Sequence, residues 1–290
     1  MTLGTTLGVA TSARAQAWVP PEGVGSVDVI YQVIDNTGHT LNDGSLVPDG
    51  KSITEGVYVE ATYAITDRLS VSGGLPYIFA RYRGPGPALA ALPVDNCKCW
   101  HSGFQDFSAT ARYALFNGVF ALTPSLSVGV PSHSYVYKGE AVVGRDLNEL
   151  RLAVDAGVRL DPISSRLTIS GSYSYAIVER VVSIPNNRSN TSLDAAFQLT
   201  RTLSARGMVL WQHTHGGLRV PDDVLPPQAH PDTFDQHDRL LRDNHRRFGA
   251  SLTYSLPGVD LFASYIVYGK GINSHKGRAF TAGVSWPFGL

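Results

Sequence analysis

The sequence predicts an all-β protein, a closed antiparallel up-and-down transmembrane β-barrel of about twelve strands. Apolar and polar residues alternate with a period of two along segments of roughly 10–13 residues. The connections between these segments alternate between short and long. Charged residues make up only 17% of the chain and aromatic residues 10%, which is typical of a sheet with one apolar outer face. A sheet in lipid must close, because every backbone polar group needs a partner within the protein.

Composition excludes several other classes of protein. The 24 basic and 24 acidic residues cancel to a net charge of zero, which argues against a nucleic-acid partner. No apolar run approaches the ~18 residues of a transmembrane helix. The two cysteines are too few for a disulfide scaffold or a four-thiolate zinc site.

Residues 1–17 are predicted to form an export signal, and residues 18–290 are predicted to form a single barrel domain. Thr2 to Ala10 are mostly small or apolar, and Ala15-Gln16-Ala17 has the pattern of a cleavage site before Trp18. The basic start of such a signal is missing, so its true beginning is expected upstream. The alternative is a disordered N-terminus with a chance match.

The predicted strands have the length that an outer membrane requires. Ten residues at ~3.3 Å each, tilted by ~40°, span the ~25 Å apolar band. In segment 147–160, Leu152 and Val154 lie on the apolar face, whereas Arg151 and Asp155 lie opposite. The predicted segments are 24–33, 53–65, 68–79, 104–115, 118–130, 147–160, 165–178, 191–200, 203–213, 246–256, 258–268 and 278–288.

The connections predict a barrel with both termini in the periplasm, short turns on that side and long loops outside. A soluble β-sandwich, the alternative, has no reason to alternate its connection lengths. The short connections are Thr66-Asp67, Phe116-Asn117, Asp161-Pro162-Ile163-Ser164, Arg201-Thr202 and Pro257. The long ones are 34–52, 80–103, 131–146, 179–190, 214–245 and 269–277.

Aromatic residues cluster near both predicted membrane surfaces, as interfacial girdles do. β-Propensity alone would place them in strands but not at the strand ends. The expected girdle at the short turns is Tyr63, Tyr113, Tyr254, Trp286 and Phe288, and the outer girdle is Tyr77, Phe79, Trp211 and Tyr265.

Two stretches carry a resemblance to known proteins. The end of the chain, Gly283-Val284-Ser285-Trp286-Pro287-Phe288, resembles the C-terminal signal of outer-membrane barrels, although Gly289-Leu290 follow it here. This resemblance implies recognition by the barrel-assembly machinery and a place in the bacterial outer membrane. The hairpin Tyr63-Ala64-Ile65-Thr66-Asp67-Arg68-Leu69, with Gly74-Leu75-Pro76-Tyr77, resembles outer-membrane proteins named for the meta-pathway of phenol degradation. Members of that family are described as transporters, and the resemblance implies no catalytic residues.

Charged residues within the strands are predicted to face the lumen, because Arg or Lys costs ~2–4 kcal/mol on the lipid face at mid-bilayer. They would set the selectivity of a narrow channel. Alternatively, paired Arg and acidic residues fill the interior and close it. The predicted lumen residues are Glu60, Asp106, Arg112, Glu149, Arg151, Asp155, Arg159, Arg166, Asp194, Arg206, Arg247 and Asp260.

Histidine has an uneven distribution, because all nine fall in the predicted long loops or at their edges. They are His39, His101, His133, His213, His215, His230, His237, His245 and His275. Avoidance of the lipid face accounts for this. A metal site on the outer surface is the alternative, with Cys97, Cys99, His101, His213 and His215 as candidate ligands. Cys97 and Cys99 also have the spacing to oxidise in an exported protein.

Loop 214–245 is expected to fold inward and narrow the outer mouth, with a helix-compatible stretch from Asp235 to Arg247. Its Asp and His residues suggest a hydrolase of the omptin type as an alternative function. A phospholipase is not expected, because parity places most serines inward and puts no Ser/His pair on the lipid face.

The sequence therefore predicts a non-enzymatic, porin-like channel in an outer membrane, passing small polar or aromatic solutes by diffusion. Its expected partners are the lipid bilayer, the assembly machinery and the solute, and no cofactor is expected. The alternatives are the loop hydrolase and a closed structural barrel whose loops bind metal or a partner.

Overall fold

The computed structural model describes residues 17–47, 50–84, 98–160 and 166–289, and these form a barrel of twelve antiparallel strands. Two further strands of two residues each lie at the ends of the barrel: Leu46–Val47 pairs with β1, and Phe116–Asn117 pairs with β5. The twelve barrel strands are β1 (Gly25–Thr40), β2 (Lys51–Ala64), β3 (Leu69–Arg83), β4 (His101–Phe104 and Asp106–Tyr113), β5 (Phe120–Pro131), β6 (Glu149–Arg159), β7 (Leu167–Val178), β8 (Asn186–Gln198), β9 (Leu203–Gly216), β10 (Asn244–Leu256), β11 (Val259–Ile272) and β12 (His275–Phe288).

The sheet closes between its first and last strands. β1 pairs with β12 from Gly25 opposite Phe288 to His39 opposite His275. Every other strand pairs with its neighbours in the chain, so the topology is up-and-down. Within the part of the chain that the structure describes, closure leaves no edge strand of the barrel open to lipid. The predicted fold class is confirmed.

Alternation along each strand separates an apolar outer wall from a polar interior. On β2, Val57 and Val59 are exposed on the outer wall, whereas Glu60 faces inward. The predicted girdle at the short turns, represented by Tyr63 and Trp286, also lies on the outer wall. An outer wall of Val, Leu and aromatic side chains fits hydrocarbon and not water.

The outer wall becomes polar at the ends of the strands that carry the long loops. Asp35 pairs with Lys51 at 3.1 Å and with Arg278 at 3.2 Å. Tyr31 donates a hydrogen bond of 2.8 Å to Glu55 close by. These ion pairs lie beyond the apolar band, so the strands extend past the outer membrane surface.

Several predicted connections are too long because the strands continue past the membrane. The predicted loop 269–277 is wrong, since only Asn273 and Ser274 separate β11 from β12. Asn273 adopts a positive φ of 46°, which Asn tolerates in a tight turn. The predicted turn at 161–164 lies outside the described residues, as does the export signal up to residue 16.

Among the described residues, no helix is long and apolar enough to cross a membrane. The loop between β9 and β10 contains two single-turn helices, α1 (Pro231–Phe234) and α2 (His237–Leu240). The predicted helix from Asp235 to Arg247 is therefore right only in part, because β10 begins at Asn244.

Residues 17–24 cross the mouth of the barrel at its short-turn end before β1 begins. The Trp18 indole N–H donates a hydrogen bond of 2.7 Å to the carbonyl of Gly118, on the β5 side. The Asn117 side chain accepts a hydrogen bond of 3.1 Å from the N–H of Val19 and donates one of 2.8 Å to the carbonyl of Val19. Trp18 also lines the interior, so this segment narrows the inner mouth.

Candidate functional site

The candidate site is the interior of the barrel, which contains a cavity of about 500 Å³. All twelve strands contribute to its wall, from Gly25 and Pro287 at the short-turn end to Arg188 and His245 near the outer loops. Side chains therefore do not fill the lumen, as a fully packed barrel would require.

Ten of the twelve predicted lumen residues line this cavity. They are Glu60, Asp106, Arg112, Glu149, Arg151, Asp155, Asp194, Arg206, Arg247 and Asp260. Arg159 and Arg166 do not line it and are exposed at the short-turn end. Arg159 donates a hydrogen bond of 2.9 Å to the carbonyl of Gly118 and lies 5.8 Å from the centre of the Trp18 ring. The alternation along their strands puts these arginines on the inward face, but they lie beyond the cavity. They are near the membrane surface, where charge is tolerated.

In the inner half of the lumen two arginines pair one-to-one with carboxylates. Arg112 lies 3.3 Å from Asp155, and Arg206 lies 3.1 Å from Asp194. Asp194 also accepts a hydrogen bond of 2.7 Å from Ser170. Each pair is neutral by itself, and Glu60 also lies close enough to Arg112 to interact with it.

Nearer the outer loops, three arginines surround one carboxylate, and we call this group the arginine cluster. Arg151 and Arg188 each donate to Glu149, one to each carboxylate oxygen. Arg145 lies 3.8 Å from the same group. The alternation of the sequence does not identify Arg145 and Arg188, because both lie in predicted long loops, 131–146 and 179–190. β8 in fact begins at Asn186, which places Arg188 on its inward face.

On the wall formed by β11, β12, β1 and β2, acidic residues lie close together instead of arginines. Asp28 on β1 is the direct cross-strand partner of Glu60 on β2. On its other side Asp28 faces Ser285, which in turn is paired with Asp260. Carboxylates therefore share one row of this wall. Asp28 follows the same inward parity as the predicted residues and could have been found by it.

An apolar patch also faces the lumen. Ile34, Ile266 and Ala279 are buried together, and Met208 and Leu210 pack against them. Ile266, Met208 and Leu210 line the cavity. The interior thus offers apolar as well as charged surface to a solute.

Two loops cover the outer mouth, and we call them together the outer cap. They are loop 132–148, between β5 and β6, and loop 217–243, between β9 and β10. The N–H of Gly139 donates a hydrogen bond of 2.6 Å to Asp238, and Lys138 pairs with Asp235 at 2.8 Å. Loop 217–243 therefore narrows the mouth, as the sequence predicts, and loop 132–148 joins it there.

Polar contacts hold the outer cap to the barrel. Tyr135 donates a hydrogen bond to Asp106 on β4, and Glu140 lies 3.4 Å from His275 on β12. Asp243, which joins the cap to β10, lies 2.9 Å from His245. Burial acts to raise the pKa of Asp243, but the charges of His245 and nearby Arg247 outweigh it and lower that pKa.

The sequence prediction, that all nine histidines lie in long loops or at their edges, is right only in part. Six lie on strands, because the strands extend further outward than predicted. They are His39, His101, His213, His215, His245 and His275. The uneven distribution therefore reflects the outer ends of the strands as much as the loops.

The candidate metal ligands lie in two separate places. Cys99 Sγ is 3.6 Å from His101 Nε2 beside β4, and Cys99 is in a disulfide. The rings of His213 and His215 are 4.8 Å apart on the outer face of β9. Cys97 lies outside the described residues. Among the described residues, no group of three or more ligands converges.

Both Asp/His pairs of the alternative hydrolase are in contact but enclosed. His237 lies 3.2 Å from Asp238, and His245 lies 2.9 Å from Asp243. Asp238 already accepts from Gly139, so it holds the outer cap together. Asp243 likewise lies where the outer cap meets β10, so the carboxylates of both pairs take part in contacts of the cap.

One expectation about the outer wall is wrong. Ser189 Oγ and His215 Nε2 lie 2.6 Å apart on the outer wall, so a Ser/His pair does occur there. The sequence does not predict this pair, because Ser189 lies in the predicted loop 179–190, whereas β8 begins at Asn186. Across the described residues, no carboxylate hydrogen-bonds the other ring nitrogen of His215, as a hydrolytic triad requires. The pair links β8 to β9 above the outer girdle.

Comparisons with known proteins identify the fold class. No protein-family model and no curated protein match the sequence, so the resemblance to the phenol meta-pathway family is not confirmed. Among solved structures, the chain resembles the COG4313 outer membrane channel from Pseudomonas putida F1, with a TM-score of 0.73, 15% identity and coverage of 94% of this chain and 98% of that one.

Two further structures share the architecture. The β-domain of the Bordetella autotransporter BrkA has a TM-score of 0.55 and 12% identity, covering 92% of this chain and all of that one. The NanC porin has a TM-score of 0.52 and 9% identity, covering 90% and 98%. At these identities the likeness concerns the fold alone, which is that of outer-membrane barrels and agrees with the apolar outer wall.

Proposed function

We propose that the protein is a passive, non-enzymatic channel of an outer membrane that admits small polar or aromatic solutes. The observation that carries this proposal is the cavity of about 500 Å³ running inside the barrel, lined from all twelve strands. A barrel with a purely structural role has no need of such a space, whose polar lining must be kept hydrated.

The lining supports passage of solutes that are partly polar. Serines and threonines on the inner wall offer hydrogen bonds at many depths without binding a solute tightly at any one of them. The apolar patch of Ile266, Met208 and Leu210 gives aromatic or aliphatic groups a surface to contact. The resemblance of the Tyr63–Tyr77 hairpin to a transporter family is consistent with this proposal.

The two narrow points suggest how passage is controlled. The outer cap covers one mouth, and Trp18 narrows the other. Loops held by a few hydrogen bonds open more readily than barrel strands, whose backbone groups pair with those of both neighbouring strands. A solute would therefore pass when the outer cap separates from the barrel wall.

The direct test is electrical. Refolded protein in a planar bilayer should give discrete current steps, and deletion of residues 219–240 from the outer cap should enlarge them. Swelling of loaded liposomes in small sugars or amino acids supplies an independent measure. Absence of current both from the full chain and from the deletion variant, each shown to be folded, would overturn the proposal.

We also propose that the C-terminal strand directs assembly. Trp286 and Phe288 are exposed on the outer wall at the end of β12, where they are accessible for binding by the barrel-assembly machinery. Replacing Phe288 with Ser should lower the amount of folded protein in the outer membrane, whereas replacing exposed Phe116 should have less effect. Equal yields of the two variants would contradict this role.

A further inference from the structure

Basic side chains gather on the outer wall of the barrel at the outer ends of β10, β11 and β12. Arg246, Lys270 and Lys276 are exposed there, one on each strand, and we call these three residues the basic belt. At the outer ends of β7 and β8 the same wall instead carries uncharged residues such as Tyr175 and Asn187, which hydrogen-bond each other at 3.1 Å. The outer ends of the strands are therefore not uniformly basic.

The basic belt lies at the level where the apolar band ends. Arg246 comes ten residues before Leu256, the last residue of β10, and ten residues of tilted strand span the ~25 Å of that band. Its guanidinium lies 5.4 Å from the ring centre of Phe248, and its direct partner on β9 is Trp211. Aromatic side chains of this kind occur at the boundary between hydrocarbon and lipid head groups. The basic belt is therefore at the depth of the head groups of the outer leaflet.

A β-bulge in β11 places two of these charges side by side. The register between β10 and β11 shifts at this point, so that Gly269 is left without a partner and Arg246 pairs directly with Lys270. Without the extra residue Lys270 would face the lumen, because successive residues of a strand point to opposite faces. A Cβ at Gly269 would lie 2.6 Å from the Phe248 ring, so the bulge requires glycine. The bulge thus turns Lys270 to the outer wall beside Arg246.

This juxtaposition is unfavourable for the barrel alone. Like charges directly opposite each other on neighbouring strands destabilise a sheet. Within the part of the chain that the structure describes, no carboxylate lies within the 4.0 Å of an ion pair from Arg246, Lys270 or Lys276.

Acidic side chains at the outer ends of β1 and β2, and in the loop after β1, already have partners. They are Asp35 with Arg278 and Lys51, Glu55 with Tyr31, and Asp43 with Ser45. Asp35 is shared by two cations, so this neighbouring ion-pair group itself carries one more positive than negative charge. It does not offset the charge of the basic belt.

We propose that the basic belt binds the phosphate groups of an anionic lipid in the outer leaflet. Phosphate oxygens accept hydrogen bonds from both guanidinium and ammonium groups, so a phosphate between Arg246 and Lys270 would relieve their repulsion. The acyl chains of the same lipid would lie along the apolar wall below, where Phe248 and Val267 are exposed. Basic residues beside a membrane attract anionic lipids in this way.

The site is on the outer wall, so its test does not depend on conduction. The full chain, refolded in a neutral detergent, is titrated with diphosphoryl lipid A, and bound lipid is counted by native mass spectrometry. Lipid A stripped of both phosphates has the same acyl chains and is the neutral analogue. We expect the diphosphoryl form to bind at least about tenfold more tightly. An excess of inorganic phosphate should not displace it, because the acyl chains also contribute to binding.

Removal of the paired charges should weaken binding. The double variant Arg246→Gln, Lys270→Gln is expected to bind diphosphoryl lipid A about 25-fold more weakly, since each basic residue near an anionic surface contributes about fivefold. The matched control is Arg68→Gln, Arg201→Gln, which removes two exposed charges from the short turns and should leave binding unchanged. If the first variant does not fold, as judged by heat-modifiable mobility on gels, Lys270→Gln, Lys276→Gln replaces it.

Lys270→Glu separates lipid binding from a structural role of the lysine. It should weaken binding of diphosphoryl lipid A by more than fivefold. It should not lower the free energy of unfolding in neutral detergent, because an opposite-charge pair with Arg246 replaces a like-charge pair.

The possible outcomes are distinct. Equal binding of the two forms of lipid A would overturn the proposal, as would equal weakening in the basic-belt variant and the short-turn variant. Displacement of the lipid by inorganic phosphate would overturn the assignment to a lipid. Phosphate-dependent binding that is lost from the basic-belt variant and kept by the short-turn variant would support the site, whether or not the barrel conducts.

Discussion

The backbone N–H of Gly139 donates a hydrogen bond of 2.6 Å to Oδ2 of Asp238, which joins the two loops of the outer cap. The Asp238 side chain is only 5% exposed. Few water molecules can therefore replace this contact, and its loss should separate the loops.

Asp238→Ala is accordingly expected to open the outer mouth. Loss of a hydrogen bond to a charged group costs ~1.5–3 kcal/mol, which shifts docking of the loops by roughly 10- to 100-fold. Single-channel recordings should show longer or larger open states. Asp232→Ala is the control, because Asp232 is exposed in α1 of the same loop. Identical recordings from the two variants would mean that Asp238 does not hold the cap.

Trp18 should limit flow at the inner mouth. Its ring packs so closely on β6 that a Cβ added at Gly157 would lie 2.6 Å from it. Trp18→Ala removes this ring and should raise the conductance. Gly157→Val should displace the ring and also raise the conductance. Trp100→Ala, on the outer side of the barrel, should leave conductance as it is. A conductance unchanged by Trp18→Ala would show that the narrow point lies elsewhere.

The sequence was sufficient to predict the barrel and the charged residues in the inner half of its lumen. It was not sufficient to predict the arginine cluster near the outer mouth. Strict alternation placed Glu60 and Asp155 correctly, because a residue on a membrane strand can face only lipid or lumen. Arg188 and Ser189 were missed because the outward extensions of the strands carry polar residues on both faces. There the apolar alternation ends while the hydrogen-bonded ladder continues.

Loop contacts were beyond prediction for another reason. Arg145 reaches Glu149 only because loop 132–148 folds into the mouth, and it does so against Asp238 of a loop about a hundred residues later. Tertiary contacts of this kind leave no periodic pattern in the sequence. Only the short spacing between Arg145 and Glu149 gave a local signal.

Acid should loosen the outer cap through Asp223. Hydrogen bonds from the Arg219 guanidinium, at 2.8 and 3.0 Å, lower the pKa of Asp223 below its ordinary value. A carboxylate with a lowered pKa stabilises the folded loop above its unfolded pKa, and this contribution disappears as the pH falls through the folded value. Loop 217–243 should therefore become less protected from proteolysis only at strongly acidic pH.

Asp223→Asn should reproduce that loosening at neutral pH and remove this part of the pH dependence. Limited proteolysis followed by mass spectrometry measures both effects, with trypsin at neutral pH and an acid-active protease at low pH. Asp222→Asn is the matched control, because Asp222 contacts Asn42 at 3.3 Å and acts on Arg219 only through its charge, whereas Asp223 accepts hydrogen bonds from the Arg219 guanidinium. The same pH profile in wild type and Asp223→Asn would exclude Asp223 as the cause.

Chelation of metal ions is expected to leave the protein unchanged. The candidate ligands form pairs beside β4 and on β9, whereas a structural metal needs three or four convergent ligands. Treatment with EDTA should not alter the thermal unfolding temperature or the conductance. A fall in that temperature that zinc restores, and that His213→Ala abolishes, would instead establish a metal site.

The orientation of β8 gives the sharpest test of the membrane placement. Leu193 is 52% exposed on the outer wall, whereas its neighbour Ser192 lines the cavity. Arg at position 193 would meet hydrocarbon near mid-bilayer, at a cost of ~2–4 kcal/mol, while Arg at position 192 would lie near Asp194. The free energy of unfolding from lipid vesicles, measured with guanidinium chloride, should therefore fall by that amount in Leu193→Arg and change much less in Ser192→Arg. Equal losses, or a larger loss in Ser192→Arg, would mean that the outer wall of β8 does not face lipid.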